Sequence, residues 1–173
     1  MKDLLAVEEK EEDYELLECT LDTGAAINVA PRKMIEDPET LMPATDTCKY
    51  ISATGTETKE KAKMKVDGLN EYWDKINGMF SVMEPDAVKM LASAVRTCRA
   101  GNRVVLDLET GSFIQNKQNH RRTPLYVKGD TFKFKIYRKK KQVSLMQQQR
   151  IEELINQGDE LRRDFHRQVR SPP

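Results

Sequence analysis

The chain has 173 residues and a net charge of +1, and its composition is polar, with 38% hydrophobic and 33% charged residues. This length suits one domain with flanking segments. No run approaches the roughly 20 apolar residues that a membrane-spanning helix needs. The N-terminus also lacks the basic start and apolar core of a secretory signal peptide. We therefore expect a cytoplasmic or nuclear protein without a membrane partner.

The cysteines and histidines do not form a metal or disulfide pattern. Cys19, Cys48 and Cys98 are far apart in the sequence, and His120 and His166 lie near none of them. Zinc sites use cysteines and histidines at short spacings, and disulfide frameworks use an even number of cysteines. We predict no metal site and reduced thiols, as is usual in the cytosol or the nucleus.

Shifts in composition divide the chain into three segments. Residues 1–13 are acidic and have no hydrophobic pattern, which predicts a flexible arm. Residues 14–138 carry strand and turn patterns and form the predicted domain. Residues 139–173 begin with a basic linker and continue as an amphipathic helix over residues 143–169, where Gly158 can introduce a break.

The first half of the predicted domain reads as strands joined by turns. A largely alternating strand over residues 14–21 ends at a turn over residues 22–24, and residues 25–30 form a second apolar run. Residues 49–66 predict a hairpin, since strand-forming residues flank a turn-like tip at residues 52–56.

The second half combines one helix with further strands. Apolar residues at helical spacing predict a helix from Asp86 to Ala100, with Asp86 as its N-cap and Gly101-Asn102 at its end. Predicted strands surround this helix: residues 73–83, 104–108 and 113–114, and a last hairpin over residues 125–137.

The most informative element of the sequence is an apolar strand that runs directly into Leu21-Asp22-Thr23-Gly24-Ala25. A bare Asp-Thr-Gly triplet is a common turn, but the apolar flanks place a carboxylate beside buried strands, which is costly without partners. Two carboxylates held together share one proton, so one can act as general base and the other as general acid. Asp107 also follows a predicted strand, but it lacks the Thr-Gly that would shape such a loop, and we interpret it as a strand-end acid.

The order of these features over Tyr14 to Arg138 resembles the retropepsin family, the aspartic proteases of retroviruses and retrotransposons. The resemblance implies a mainly β, closed β-barrel of the acid-protease fold with one short internal helix, followed here by a C-terminal helical tail. It also implies catalytic and substrate-binding residues. The catalytic set is Asp22, Thr23 and Gly24, with Thr23 as the clamp between subunits, and the substrate-binding set is Gly24, Ala25, Ala26, Ala53, Thr54 and Gly55, the last three in the flap.

The function that the resemblance implies is an aspartic endopeptidase of retroelement origin. Because the chain carries one such motif, its active site requires a homodimer in which water is activated between two Asp22 carboxyls. The partners are a second copy of the chain and a peptide or polyprotein substrate, and the chemistry needs no metal or organic cofactor.

Two alternatives stay open. Ala92 stands where the family usually has a glycine, and Ala26 and Ile27 stand where viral members often have acidic residues. These departures favour a catalytically inactive retropepsin-fold module that dimerises or binds peptides. Separately, the four cations Arg138 to Lys141 could bind nucleic acid, although such a block is more typical of a solvated linker.

Overall fold

The computed structural model describes residues 12–45, 47–52, 54–141 and 144–170, except for the side chains of Arg162 and residues 165–170. This part of the chain is mainly β, with one short helix and a C-terminal helix, as the sequence predicts. It forms two compact units. Among the described residues, the first unit comprises residues 12–28, 66–78 and 89–141, and the second comprises residues 29–65, 79–88 and 144–170.

The described residues contain eleven strands, two α-helices and two short 3-10 turns. The strands are β1 (Tyr14–Asp22), β2 (Val29–Ala30), β3 (Leu41–Pro43), β4 (Lys49–Ile51), β5 (Glu57–Leu69), β6 (Lys75–Glu84), β7 (Met90–Ser93), β8 (Asn102–Val105), β9 (Ser112–Asn116), β10 (Arg122–Lys128) and β11 (Thr131–Lys139). The helices are α1 (Ala94–Arg99) and α2 (Leu145–Arg170), and the 3-10 turns are Arg32–Met34 and Pro38–Thr40.

The first unit is built around β1, which pairs on both of its edges. It runs antiparallel to β11 and parallel to β7. From β11 the sheet continues through β10 and β9 to β8 in antiparallel pairs. Alternate side chains of β1 point into the core, which explains why Leu17, Cys19 and Leu21 are buried. Pairing with β7 and β11 on its two edges fixes the point where the last residue of β1, Asp22, emerges.

The second unit combines short strands with the C-terminal helix. Its strand order is β3-β5-β6-β2, and β4 also pairs with β5. Helix α2 lies beside β3 and the second 3-10 turn, and it buries Ile151, Leu154 and Ile155. These three positions follow helical spacing, so one apolar face of α2 contributes to the core of this unit.

The predicted helix from Asp86 to Ala100 is wrong in its first half. Met90–Ser93 is a strand, and the helix covers only Ala94–Arg99. Asp86 is not the N-cap, because its carboxylate accepts a hydrogen bond from the backbone nitrogen of Arg32 at 2.8 Å. The short apolar run fits a buried strand as well as a helix, and pairing with β1 decides between them.

The predicted break in the C-terminal helix is also wrong. Helix α2 is continuous from Leu145 to Arg170, while the predicted helical residue Val143 lies outside the described residues. Gly158 serves close packing instead, since a Cβ atom there would lie 2.5 Å from the backbone oxygen of Lys61. A glycine inside a helix can mark a close backbone approach, with no break in the helix.

The two predicted hairpins are confirmed. Strands β4 and β5 pair across the turn at residues 52–56. Strands β10 and β11 pair across Gly129-Asp130, where Gly129 has a φ of +64°. Both hairpins follow from local turn chemistry, because a positive φ at a tight turn favours glycine.

Candidate functional site

Asp22 is the last residue of β1, at the end of a strand flanked by β7 and β11. Its side chain is half-buried, whereas Thr23 and Gly24 are exposed. The Asp22 Oδ1 atom accepts a hydrogen bond from the backbone nitrogen of Gly24 at 2.8 Å, which closes a tight turn. A carboxylate is therefore held at the end of a core strand and reaches the surface of the first unit.

The loop that carries Asp22 is fixed by side chains from the β7–α1 junction. The Ser93 hydroxyl donates to the backbone oxygen of Ala25 at 2.7 Å, and the Ser93 backbone nitrogen donates to Asn28 Oδ1 at 2.7 Å. The Arg96 Nε atom donates to the backbone oxygen of Ala26 at 3.0 Å. These three hydrogen bonds hold residues 25–28 in a defined conformation.

The apolar run over residues 25–30, whose pattern indicated another strand after the Asp-Thr-Gly turn, is not a strand for most of its length. Only Val29 and Ala30 form a strand. The backbone oxygens of Ala25 and Ala26, which a sheet ladder would use, instead accept from Ser93 and Arg96. Tertiary hydrogen bonds replace the ladder, so this apolar run is a loop.

Ser93, like Arg96, is a residue of this site that the sequence did not single out. It is fully buried, and its hydroxyl also accepts from the backbone nitrogen of Arg96 at 3.3 Å as the N-cap of α1. A serine before a short helix is a recognisable capping position. Its bond to Ala25 could not be foreseen, because that bond joins residues 68 positions apart.

Gly24 has space around it in the single chain. A Cβ atom there would lie 3.4 Å from Asp22 Oδ1, which is an ordinary van der Waals contact. Sterics within one chain therefore do not require glycine at this position. A requirement could come only from a molecule that approaches the loop, such as a substrate or a second copy.

The β4–β5 hairpin contains the other predicted binding residues and belongs to the second unit. Its tip is closed by bonds from the Ser52 nitrogen to the Thr56 oxygen at 2.8 Å and from the Gly55 nitrogen to the Ser52 oxygen at 2.9 Å. Gly55 has a φ of +83°. Thr54 and Gly55 are exposed at the tip, while the predicted contact Ala53 lies outside the described residues.

Asp107 is a turn acid, which agrees with its interpretation from the sequence. Its carboxylate accepts from the Thr110 hydroxyl at 2.6 Å and from the Glu109 nitrogen at 2.8 Å. The hydrogen bond from Thr110, followed by those from backbone nitrogens, lowers the pKa of Asp107. The residue organises the β8–β9 connection.

Part of the basic segment is bound within the first unit. Arg138 belongs to β11, and its Nε atom donates to Glu15 at 2.6 Å. The Lys140 side chain donates to the backbone oxygen of Glu12 at 2.9 Å, and its backbone nitrogen donates to Asp13. Binding of nucleic acid by this segment stays a prediction.

Cys19 differs from the other cysteines in its environment. It is fully buried on β1, and burial raises the pKa of its thiol to about 12, whereas Cys48 and Cys98 are exposed. Because thiolates are the reactive form, we expect a thiol reagent at pH 8 to modify Cys48 and Cys98 at least about 100-fold faster than Cys19. Mass spectrometry of the native protein measures this, with the urea-unfolded protein as the control.

This pKa shift also has a consequence for stability. The thiol of Cys19 in the unfolded chain, with the ordinary cysteine pKa of 9.0, loses its proton at a lower pH than the folded one does. The stabilisation is therefore complete below about pH 9 and is lost as the pH rises toward 12. Rapid modification of Cys19 in the folded protein would contradict its buried position.

Two further properties concern the described part of the chain. No group of three or more histidine, cysteine, aspartate or glutamate residues in these ranges is arranged to hold a metal ion. No helix there combines the length and the apolar character needed to cross a bilayer.

Comparisons with protein-family models, with curated proteins and with solved structures find no match to this chain.

Proposed function

We propose that this chain is one subunit of a homodimeric aspartic endopeptidase with the retropepsin-type closed β-barrel fold. The observation that carries the proposal is the placement of Asp22. Its carboxylate stands at the end of β1, which is paired on both edges, on a loop that Ser93 and Arg96 hold in place. An ordinary surface turn does not need support from a fully buried hydroxyl such as that of Ser93.

The proposed reaction uses the Asp22 carboxyls of two copies, which share one proton at close approach. The ionised carboxylate takes a proton from water while the water oxygen attacks the scissile carbonyl carbon. The protonated carboxyl donates its proton to the carbonyl oxygen, giving a neutral tetrahedral diol. The carboxyl that received the water proton then delivers it to the amide nitrogen, and the C–N bond breaks while the other carboxylate takes a proton from a diol hydroxyl. The products are a carboxylic acid and an amine, and the pair again shares one proton.

The exposed outer part of the loop supports a symmetric dimer. Thr23 and Gly24 are exposed beside the half-buried Asp22, and glycine is not required there by the single chain. In the proposed dimer the Thr23 hydroxyl binds the partner loop, and Gly24 admits the close approach of that loop and of the substrate backbone. Such an interface is isologous, with the same loop on both subunits.

The β4–β5 hairpin supports the proposed binding of extended peptides. Ile51 has an exposed fraction of 78%, and Thr54 and Gly55 are exposed at the tip. In the proposal this hairpin is the flap that covers a substrate strand and excludes water from the reaction. Ala25, Ala26 and Ala53 complete the proposed contacts with the substrate.

The proposal is tested by measuring assembly and cleavage together. We expect a dimer in sedimentation equilibrium and cleavage of peptides from a mixed library, detected by mass spectrometry. The specific activity should fall on dilution below the dimer dissociation constant, because each subunit contributes one carboxyl. A pepstatin-type inhibitor should block cleavage, and a metal chelator should leave it unchanged. A protein that remains monomeric yet cleaves peptides would contradict the two-carboxyl mechanism.

The second candidate is a non-catalytic module of the same fold, and Ala92 is the residue that motivates it. Ala92 has an exposed fraction of 4% and pairs with Leu21, directly behind the Asp22 loop. The parallel register continues past it to Ser93, so its methyl group is accommodated without disrupting this pairing. A dimer that binds extended peptides but cleaves none of them would favour this alternative.

A further inference from the structure

Helix α2 packs against the part of the second unit from which the β4–β5 hairpin extends. Its apolar face buries Ile151, Leu154 and Ile155, and Gly158 on the next turn is also buried. The helix lies beside β3, which pairs with β5 from Leu41↔Met64 to Pro43↔Ala62. The helix is thus anchored to the unit by its apolar face, close to the root of the hairpin.

Two consecutive residues of α2 contact Lys61, which lies just after the paired part of the hairpin. The backbone at Gly158 approaches so closely that an added Cβ would lie 2.5 Å from the Lys61 oxygen. The Lys61 Nζ atom donates to both carboxylate oxygens of Asp159, at 2.8 and 2.9 Å, and it also pairs with the Glu84 carboxylate. The Lys61 and Asp159 side chains are only 22% and 24% exposed, so this pair is better shielded from solvent than a surface ion pair.

The residue before Lys61 ties the same root to two other segments. Glu60 is buried, with an exposed fraction of 1%. Its carboxylate accepts from the Ser81 hydroxyl at 3.0 Å and from the Thr45 backbone nitrogen at 3.2 Å. The pairing of β4 with β5 ends at Lys49↔Lys59, next to this point. The hairpin therefore has a firmly held root and an exposed tip.

We propose that α2 is a built-in brace that controls the opening of the β4–β5 hairpin. Gly158 and Asp159 hold β5 at Lys61, and undocking of the helix releases this hold. Opening of the hairpin requires motion at its root. A contact that holds the root therefore limits the motion of the tip. The effect on mobility concerns the second unit alone, whereas its consequence for catalysis rests on the proposed protease function.

Hydrogen exchange of the full-length chain, followed by mass spectrometry, tests the brace. We expect Asp159→Ala and Gly158→Val each to speed exchange of the hairpin amides over residues 49–59 by at least about 10-fold, since local opening governs exchange. Exchange in β1 and β11 should not change. The matched control is Glu153→Ala on the same helix, because Glu153 is 63% exposed and pairs only with Arg150 within the part of α2 whose side chains are described.

A charge swap separates the specific contact from general destabilisation. Because Lys61 also pairs with Glu84, the swap is made together with Glu84→Gln, which removes the repulsion that an aspartate at position 61 would meet there. With that change, the double swap Lys61→Asp and Asp159→Lys should return hairpin protection toward the level of Glu84→Gln alone, while Lys61→Asp without the change at residue 159 should lose it. If Gly158→Val unfolds the chain, Asp159→Ala and the swap still decide the matter. Unchanged hairpin exchange in Asp159→Ala, or equal loss in the single and swapped variants, would overturn the proposal.

Peptide cleavage gives a second readout that keeps the two proposals apart. A released hairpin holds substrate less well, so we expect Asp159→Ala to raise KM by about 10-fold with a smaller change in kcat. If the exchange results agree but no peptide is cleaved, the brace stands and the protease function fails. If cleavage occurs and hairpin exchange is unaffected, the brace fails and the protease function stands.

Discussion

Replacing Asp22 with asparagine is expected to lower peptide cleavage by at least about a thousand-fold without unfolding the chain. An amide cannot take a proton from water, and it cannot share one with the partner carboxyl. The folded structure should survive, because the amide oxygen can still accept the hydrogen bond from the Gly24 nitrogen, which is 2.8 Å from Asp22 Oδ1. The measurements are kcat/KM on a cleaved peptide and the thermal midpoint by circular dichroism.

The matched control for this variant is Asp107→Asn. Asp107 is also an aspartate that follows a strand, but it binds Thr110 and the backbone of its own turn. We expect the Asp107 variant to retain wild-type cleavage. If Asp22→Asn instead cleaves peptides at the wild-type rate, Asp22 is not the catalyst, and the proposed mechanism must be abandoned.

Replacing Ser93 with alanine is expected to reduce the free energy of unfolding by about 2 kcal/mol. The variant removes the donor to the Ala25 oxygen and the N-cap acceptor for the Arg96 nitrogen. Ser93 has no exposed surface, so water cannot readily substitute for the hydroxyl. Urea unfolding monitored by circular dichroism measures this loss, with Thr131→Ala as the control, since that hydroxyl bonds an exposed turn.

The same variant should also affect catalysis, because Ser93 positions the loop on which Asp22 lies. At a temperature where the variant is fully folded, we expect kcat to fall about 10-fold or more, with a smaller change in KM. A role in stability alone would leave kcat of the folded fraction unchanged. Wild-type kcat in Ser93→Ala would therefore show that these hydrogen bonds do not align the carboxylate.

Local patterns in the sequence were sufficient for β1, for the turn that follows it and for both hairpins. The alternation over residues 14–21 predicted β1, and the Asp-Thr-Gly triplet predicted the turn that follows it. Glycine and polar residues at the tips identified both hairpins, since Gly55 and Gly129 adopt positive φ angles. Each of these features depends on residues that are close in the sequence.

Some segments have a local pattern that fits two secondary structures, and in these segments tertiary contacts determine which structure forms. Met90–Ser93 has the apolar character of a helix segment, but β1 takes it as a parallel partner. The apolar run that begins at Ala25 becomes a loop, because side chains from the β7–α1 junction bind its oxygens. Gly158 looked like a helix break, but the Lys61 backbone lies against it.

By itself, the sequence determined that a core strand ends at Asp22 and that a glycine-tipped hairpin stands at residues 49–59, because spacing and turn chemistry are short-range properties. Only the tertiary structure showed that Ser93 forms a hydrogen bond to the Asp22 loop and that Asp159 forms an ion pair with Lys61. Ser93 and its partner Ala25 are 68 residues apart in the sequence, and Lys61 and Asp159 are 98 residues apart. A hydrogen bond between such distant residues exists only after the intervening chain has folded, and therefore no local pattern encodes it.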